Sequence, residues 1–190
     1  MAIAGQLSSF KGALPHGGAR PSLFDVTISA PSTDLTGSLT NMATHCNVSA
    51  IPPLSVTPIE RQYFGRTVKI PGDMVFGDLS TTIINSQDYS LRKVLEKWMD
   101  LMNSTGENKG YSDSTSGFGT VKLTQYAKAG KSLLTWTFVD AWPQTISEIA
   151  LSYDTASDIE QFDVTWAYNY YTQAKGTATT SGLSTWADQD

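Results

Sequence analysis

The sequence predicts a mainly β fold, an antiparallel sandwich or barrel-like domain with one flanking α-helix at about residues 88–102. Three observations carry that expectation. Apolar and polar residues alternate at period two in several short runs, most clearly at Phe24, Val26 and Ile28 and again at Phe162, Val164, Trp166, Tyr168 and Tyr170. Only one stretch changes to the three- and four-residue steps of an amphipathic helix. There is no internal repeat and no second composition block, and 190 residues is the size of one domain, long enough to bury roughly 70% of the surface of its unfolded chain.

Taken in order, residues 1–19 are rich in Gly, Ala and Ser without a sustained period, which predicts a flexible N-terminal arm closed by Arg20-Pro21. From Leu23 a half-buried strand puts Phe24, Val26 and Ile28 on one face. The polar segment Pro31 to Asn41 reads as a loop, and His45 to Ile51 has β character until Pro52-Pro53 stops it. Tyr63 to Ile70 is expected as a strand interrupted by Gly65, with Pro71-Gly72-Asp73 as a turn, and Leu79 to Ile84 as the next strand. Leu91, Val94, Leu95, Trp98 and Met102 mark the helix, for which Ser86 or Asp88 is a candidate cap. Such a Trp and Met stripe is the ordinary signature of packing on a sheet.

The glycine-rich segment 103–119 is too long and too polar to be a tight connection, so it is expected as a functional or mobile loop. Thr120 to Tyr126 and Ser132 to Asp140 form a hairpin in which Gly130 takes the positive φ of the turn, and Trp142-Pro143 is expected to end the run. A last hairpin pairs Ile149 to Tyr153 with Ile159 to Tyr170. Residues 20–171 then make the domain. Residues 172–190, rich in Thr, Ser, Gly and Ala, are expected as a C-terminal extension; disorder is the ordinary reading, and Trp186 offers the alternative of docking on a neighbour.

The formal net charge of -5 speaks against affinity for nucleic acid, which depends on Lys and Arg displacing counterions from phosphates. Charged residues make up only 16% of the chain, below the roughly 25% of ordinary soluble domains, a weak sign of partner surfaces. Cys46 has no second thiol, and His16 and His45 stand apart, so no metal set is expected. The N-terminus lacks a long apolar core of a signal peptide, and no run approaches a spanning helix, which predicts a chain without membrane contact.

Chemistry has little to stand on. Asp73 and Asp78, or Asp154, Asp158 and Glu160, supply the carboxylates a hydrolase needs, but Asp73 after Pro-Gly and Asp154 at a strand end are explained by turn formation. No G-x-S-x-G, H-E-x-x-H or P-loop occurs, and the glycine clusters GTVKL, GENKG and GFGT are too weak to indicate phosphate binding. The chain is expected not to be an enzyme, with no catalytic, cofactor-binding or metal-binding residue assigned and no cofactor. The alternating aromatics Trp166, Tyr168 and Tyr170 could stack on bases or sugars, but burial on an inner face is the simpler use.

Three stretches together resemble the tail tube proteins of contractile-tailed bacteriophages. They are Ala19-Arg20-Pro21-Ser22-Leu23-Phe24-Asp25-Val26; the region from Cys46 to Asn85, containing Ala50-x-x-Pro53, GRTVKIPGD at Gly65 to Asp73, Phe76, Asp78 and Asn85; and Ala141-Trp142-Pro143 with Ile149 to Asp154, Ile159 to Val164, Tyr168 and Tyr170. Order and spacing match from about residue 19 to residue 171. The segment Thr33 to Thr44, the loop after the helix and the extension after Tyr171 look longer than in the family's simplest members.

The resemblance implies a structural subunit that stacks as hexameric rings into the inner conduit for DNA ejection inside a contractile sheath. It implies as partners further copies of the chain, the tail sheath protein, baseplate and tail terminator proteins, and viral DNA that passes without specific binding. The subunit would be assembled in the host cytoplasm and reside in the virion tail, with acidic and neutral side chains dominating the lumen. Two alternatives stay open: the tube of a related contractile injection system or tailocin, and, from another class, a monomeric β-sandwich carbohydrate-binding module using Trp142, Trp166 or Tyr170 as platforms.

Overall fold

The computed structural model describes residues 9–12, 18–32, 35, 39, 42–107, 109–110, 116–153 and 158–175. Most of the expected arm, with His16, and residues 176–190 of the expected extension 172–190, with Trp186, lie outside the described residues, as does Asp154.

Strand β1 (Phe24–Ser29) pairs antiparallel with β6 (Gly119–Tyr126), and β6 with β7 (Ser132–Ile146), whose first half is flanked on its other side by β9 (Tyr170–Lys175). The second half of β7 pairs with β8 (Gln161–Ala167), which continues to β5 (Leu79–Ile84) and β2 (Cys46–Ser49). One long strand thus belongs to two half-sheets and lets them wrap round a common interior. The expected mainly β, antiparallel sandwich or barrel-like fold is what the chain adopts.

Alternation along the strands fills that interior. Ile28, Val121 and Phe138 are register partners across the first half-sheet, and Leu79 and Trp166 across the second, all fully or almost fully buried. Helix α2 (Ser90–Met102) covers the core with Leu91, Leu95 and Trp98, as its spacing predicts. The Trp98 and Trp166 rings lie 5.8 Å apart, and Trp98 donates its indole N–H to the Gly117 carbonyl at 2.9 Å. Gly119 has to be glycine here, because a Cβ would sit 2.7 Å from the Trp98 ring and 2.5 Å from the Ser29 carbonyl. Thr81, the buried polar residue of this core, accepts from the Trp166 indole at 2.9 Å, so both groups are satisfied.

The start of α2 differs from the expected cap. Tyr89, in the left-handed region at φ 54, occupies the cap position without a side-chain cap bond. Asp88, one of the two expected candidates, still contributes from the position before it, accepting the Ser90 N–H at 3.3 Å and the Ser86 hydroxyl, and these bonds hold its carboxyl below the usual range.

Four other expectations are corrected. Within the expected loop Pro31 to Asn41, Leu35 and Leu39 are buried, and with Met42 of the short helix α1 (Met42–His45) they join the core; two isolated leucines carry no period. Trp142-Pro143 does not end β7, which runs on to Ile146: Asp140 at φ 55 bends it between half-sheets, and beyond the bend only one side carries a partner strand, where proline costs least. Ile149 to Tyr153 is not a strand, and Leu151 and Tyr153 are exposed. The run from Ile159 to Tyr170 divides at Asn169 into β8 and β9, so Tyr170 faces outward and Tyr171 packs inward. Asn169 fastens the division, donating its side-chain amide to Asp140 at 2.9 Å and its backbone N–H to the Val139 carbonyl at 3.2 Å.

A fifth correction matters most. Strands β3 (Leu54–Tyr63) and β4 (Arg66–Phe76) form a hairpin separate from the body sheet, and the chain runs straight through Pro71-Gly72-Asp73. In a two-stranded ribbon alternate N–H groups point outward, so Pro58 and Pro71, which face each other, are tolerated.

Candidate functional site

The turn of this hairpin is Phe64-Gly65, with φ of 43 and 76. Two successive positive φ values make the tight reversal that matches the twist of the flanking strands, natural for Gly65 and strained for Phe64. From there β3 reaches back about 30 Å at the ordinary rise of a strand. Near its middle Gly72 and Asp73 oppose Thr57 in a bulge. A Cβ on Gly72 would stand 2.5 Å from the Thr57 carbonyl, so the glycine permits the close approach there.

Register sorts the outer half of the ribbon into two unlike faces. One carries the pairs Glu60–Lys69 and Gln62–Thr67, joined by an ion pair of 3.3 Å and a hydrogen bond of 3.0 Å. The other carries Ile59–Ile70, Arg61–Val68 and Tyr63–Arg66. Nothing described in the body covers it: Ile59, Val68 and Ile70 keep 46–49% of their surface exposed and Phe64 keeps 91%. Nine large hydrophobic residues between Leu54 and Val75 are exposed in all. An apolar surface of this kind marks an interaction site.

Its base is fixed to the body. Phe76 lies edge-on to Tyr168 and Tyr171 at 6.2 and 5.4 Å, and both tyrosines contact Phe138. The Tyr168 hydroxyl donates to the Gly77 carbonyl at 2.6 Å, and Gly77 N–H donates to the Pro53 carbonyl at 3.0 Å. Burial, with the neighbouring Tyr171 and Asp78, pushes the Tyr168 hydroxyl up to about 12.

A second exposed surface lies at the other end of β5. There Ala150, Leu151, Ser152, Tyr153, Asp158 and Glu160 line a groove of about 420 Å³. Glu160 is anchored by Asn85 at 2.8 Å and the Tyr89 hydroxyl at 2.9 Å.

The residues weighed for chemistry are scattered. Asp73 is in β4, Asp78 at the hairpin base, Asp158 and Glu160 in the groove. Among the described residues no group of His, Cys, Asp and Glu could hold a metal ion. Burial, with Asp25 beside it, pushes the Cys46 thiol up to about 12, which suppresses its reactive thiolate. The aromatic platform of a carbohydrate-binding module does not form: Trp166 is buried and Trp142 stacks on Phe118 at 5.3 Å, leaving Tyr170 exposed. Sequence reasoning passed over β3, whose apolar alternation is broken by Pro58 and charged residues. The signal was there in Ile59, Arg61 and Tyr63 facing Val68 and Ile70 across a Phe-Gly turn.

The profile of the phage tail tube protein family matches residues 19–174. The chain is 25% identical over 154 residues to the tail tube protein gp19 of Enterobacteria phage T4, covering 80% of this chain and 90% of that one. It is 28% identical over 162 residues to the tail tube protein of Serratia phage KSP90, covering 82% and 90%. In fold it is similar to a solved sheath/tube terminator of an extracellular contractile injection system (TM-score 0.61, 16% identity, 83% and 96% covered). It is likewise similar to the sheath-tube complex of that system (TM-score 0.57, 15% identity, 92% and 99% covered). With the fold, the uncovered hairpin and this family match in agreement, the chain belongs to the phage tail tube protein family and is a structural subunit of the virion tail.

Proposed function

We propose that copies of the chain associate as hexameric rings that stack into the inner conduit for DNA ejection inside a contractile sheath. The observation that carries this reading is the β3–β4 hairpin, an apolar ribbon built into the fold and left uncovered by the described residues of the body. Water would penalise such a face in a permanent monomer. Among the described strands β1, β2 and β9 carry an edge with no partner strand, a liability unless a neighbour or the rest of the chain supplies the hydrogen bonds.

Sheath, terminator and baseplate proteins are the further partners we assign. Solved neighbours of the same fold come from a sheath-tube complex, a terminator and a baseplate of contractile systems, which supports the assignment. Acidic and neutral side chains are proposed to line the lumen, in keeping with the net charge of -5.

Negative-stain electron microscopy across a protein concentration series, with mass measured in solution, tests the reading. Hollow tubes or rings with sixfold symmetry are expected. Rings of another symmetry would overturn the hexamer, and a monomer at every concentration, with or without tail baseplates as seeds, would overturn the tube.

A further inference from the structure

We propose that the apolar, arginine-bearing face of the β3–β4 hairpin on one copy seats in the acidic groove formed by residues 150–153, 158 and 160 of the next copy along the stack. This deepens the tube reading and rests on it. The occupant is a second copy of the chain, and three properties of the molecule select it.

The first is charge. Among the described residues neither Arg61 nor Arg66 ion-pairs within its own chain, although Lys69 on the opposite face of the ribbon does. The groove carries Asp158, exposed and without an ion pair among the described residues, and the anchored carboxylate of Glu160. Two arginines without carboxylates therefore have two carboxylates to meet on another copy. The second is apolar match. Ile59, Val68, Ile70 and Tyr63 share the arginine face, and exposed Leu151, Tyr153 and Ile159 stand in or beside the groove.

The third is placement. The hairpin passes through Gly77-Asp78 directly into Leu79, the first residue of β5. Asn85, just after the last residue of β5, receives the groove: its N–H donates to the Glu160 carbonyl at 2.8 Å. Six residues of strand separate the base of the hairpin from the groove, about 20 Å, so the chain enters β5 from the one and leaves it at the other. A contact between unlike surfaces joins copies head to tail; it closes into a ring or extends as an open stack according to the rotation between copies, and the length of a cross-linked ladder separates the two.

The test uses two charge-reversed full-length chains, Arg61→Glu/Arg66→Glu and Asp158→Arg, each checked for wild-type circular dichroism and melting. Each alone is expected to need roughly tenfold more protein than wild type to form tubes, because like charges now meet at the contact. Mixed in equal amounts they are expected to polymerise again, since alternating copies set glutamate against arginine at one contact and arginine against aspartate at the next. Folded variants that each polymerise normally, or whose mixture gains nothing, would overturn the proposal.

A cross-link supplies the second measurement and needs no charge reversal. In a Cys46→Ala background, tubes of a Val68→Cys/Tyr153→Cys chain are expected to yield an oxidised ladder extending beyond the copy number of one ring. A ladder that stops at that number would place the hairpin sideways within the ring, and tubes with no ladder would exclude the contact; either outcome sinks the head-to-tail docking while leaving the tube intact. Failure of the wild-type chain to form tubes under any condition would remove the tube reading itself.

Discussion

On β8, Phe162, Val164 and Trp166 are sealed from water, whereas on the hairpin Ile59, Val68 and Ile70 keep nearly half their surface exposed. Both regions are strands of good β-formers with apolar residues on one face. The difference is the other side of the contact. The β8 face meets α2 and the opposing half-sheet within its own chain, and the hairpin face meets nothing described. Burial of apolar area is the main force in either case, so the body draws its stabilisation from within the chain, and on the proposed reading the hairpin face draws its share from association.

The largest expected effect on the monomer is in the body. Trp166→Ala removes a fully buried ring packed on Trp98 and leaves the Thr81 hydroxyl without its indole donor, and a loss of about 3–5 kcal/mol in chemical denaturation is expected. A loss below about 1 kcal/mol would mean that the interior is looser than its burial indicates.

Next comes the junction between the two regions. Tyr168→Phe keeps the rings around Phe76 and deletes the hydroxyl that holds the Gly77 carbonyl, a cost of about 1 kcal/mol. Faster amide exchange is expected at the hairpin base and not in β8; uniform protection would show that the bond does not position the hairpin. The same hydroxyl sets a pH window. Its folded pKa is raised, so its contribution is complete below the ordinary tyrosine value of about 10 and is lost as pH rises toward about 12. Phenolate absorbance of wild type against Tyr168→Phe should therefore show one tyrosine ionising late.

Smaller still is the turn. Phe64→Asn relieves positive φ at a large residue and is expected to stabilise the hairpin by about 0.5–1 kcal/mol. It also strips an almost fully exposed ring from the tip, and tube formation is expected to weaken. Smallest for the monomer is Val68→Glu on the exposed face, within about 0.5 kcal/mol of wild type by melting, yet it should abolish tubes under the microscope. Tubes forming normally from Val68→Glu would mean that the hairpin face is no interface, and the contrast between the two regions would lose its functional meaning.

Much of this was legible along the chain. Strands β1, β5 and β6 with the β6–β7 turn at Gly130, the α2 stripe, and the ordered motifs from Ala19 to Tyr170 depend on near neighbours or on the order of residue types, and local period and turn chemistry report those directly. Tertiary structure alone decided where strands part and pair. Asp140 bends β7 across two half-sheets, Asn169 splits one apparent strand into two, and a proline pair sits inside a ribbon whose edges pair with no described strand. It also decided which apolar faces stay bare. Alternation announces that a face is apolar, but burial belongs to the pair of surfaces that meet, and the partner of Ile59 and Val68 is not among the body residues described.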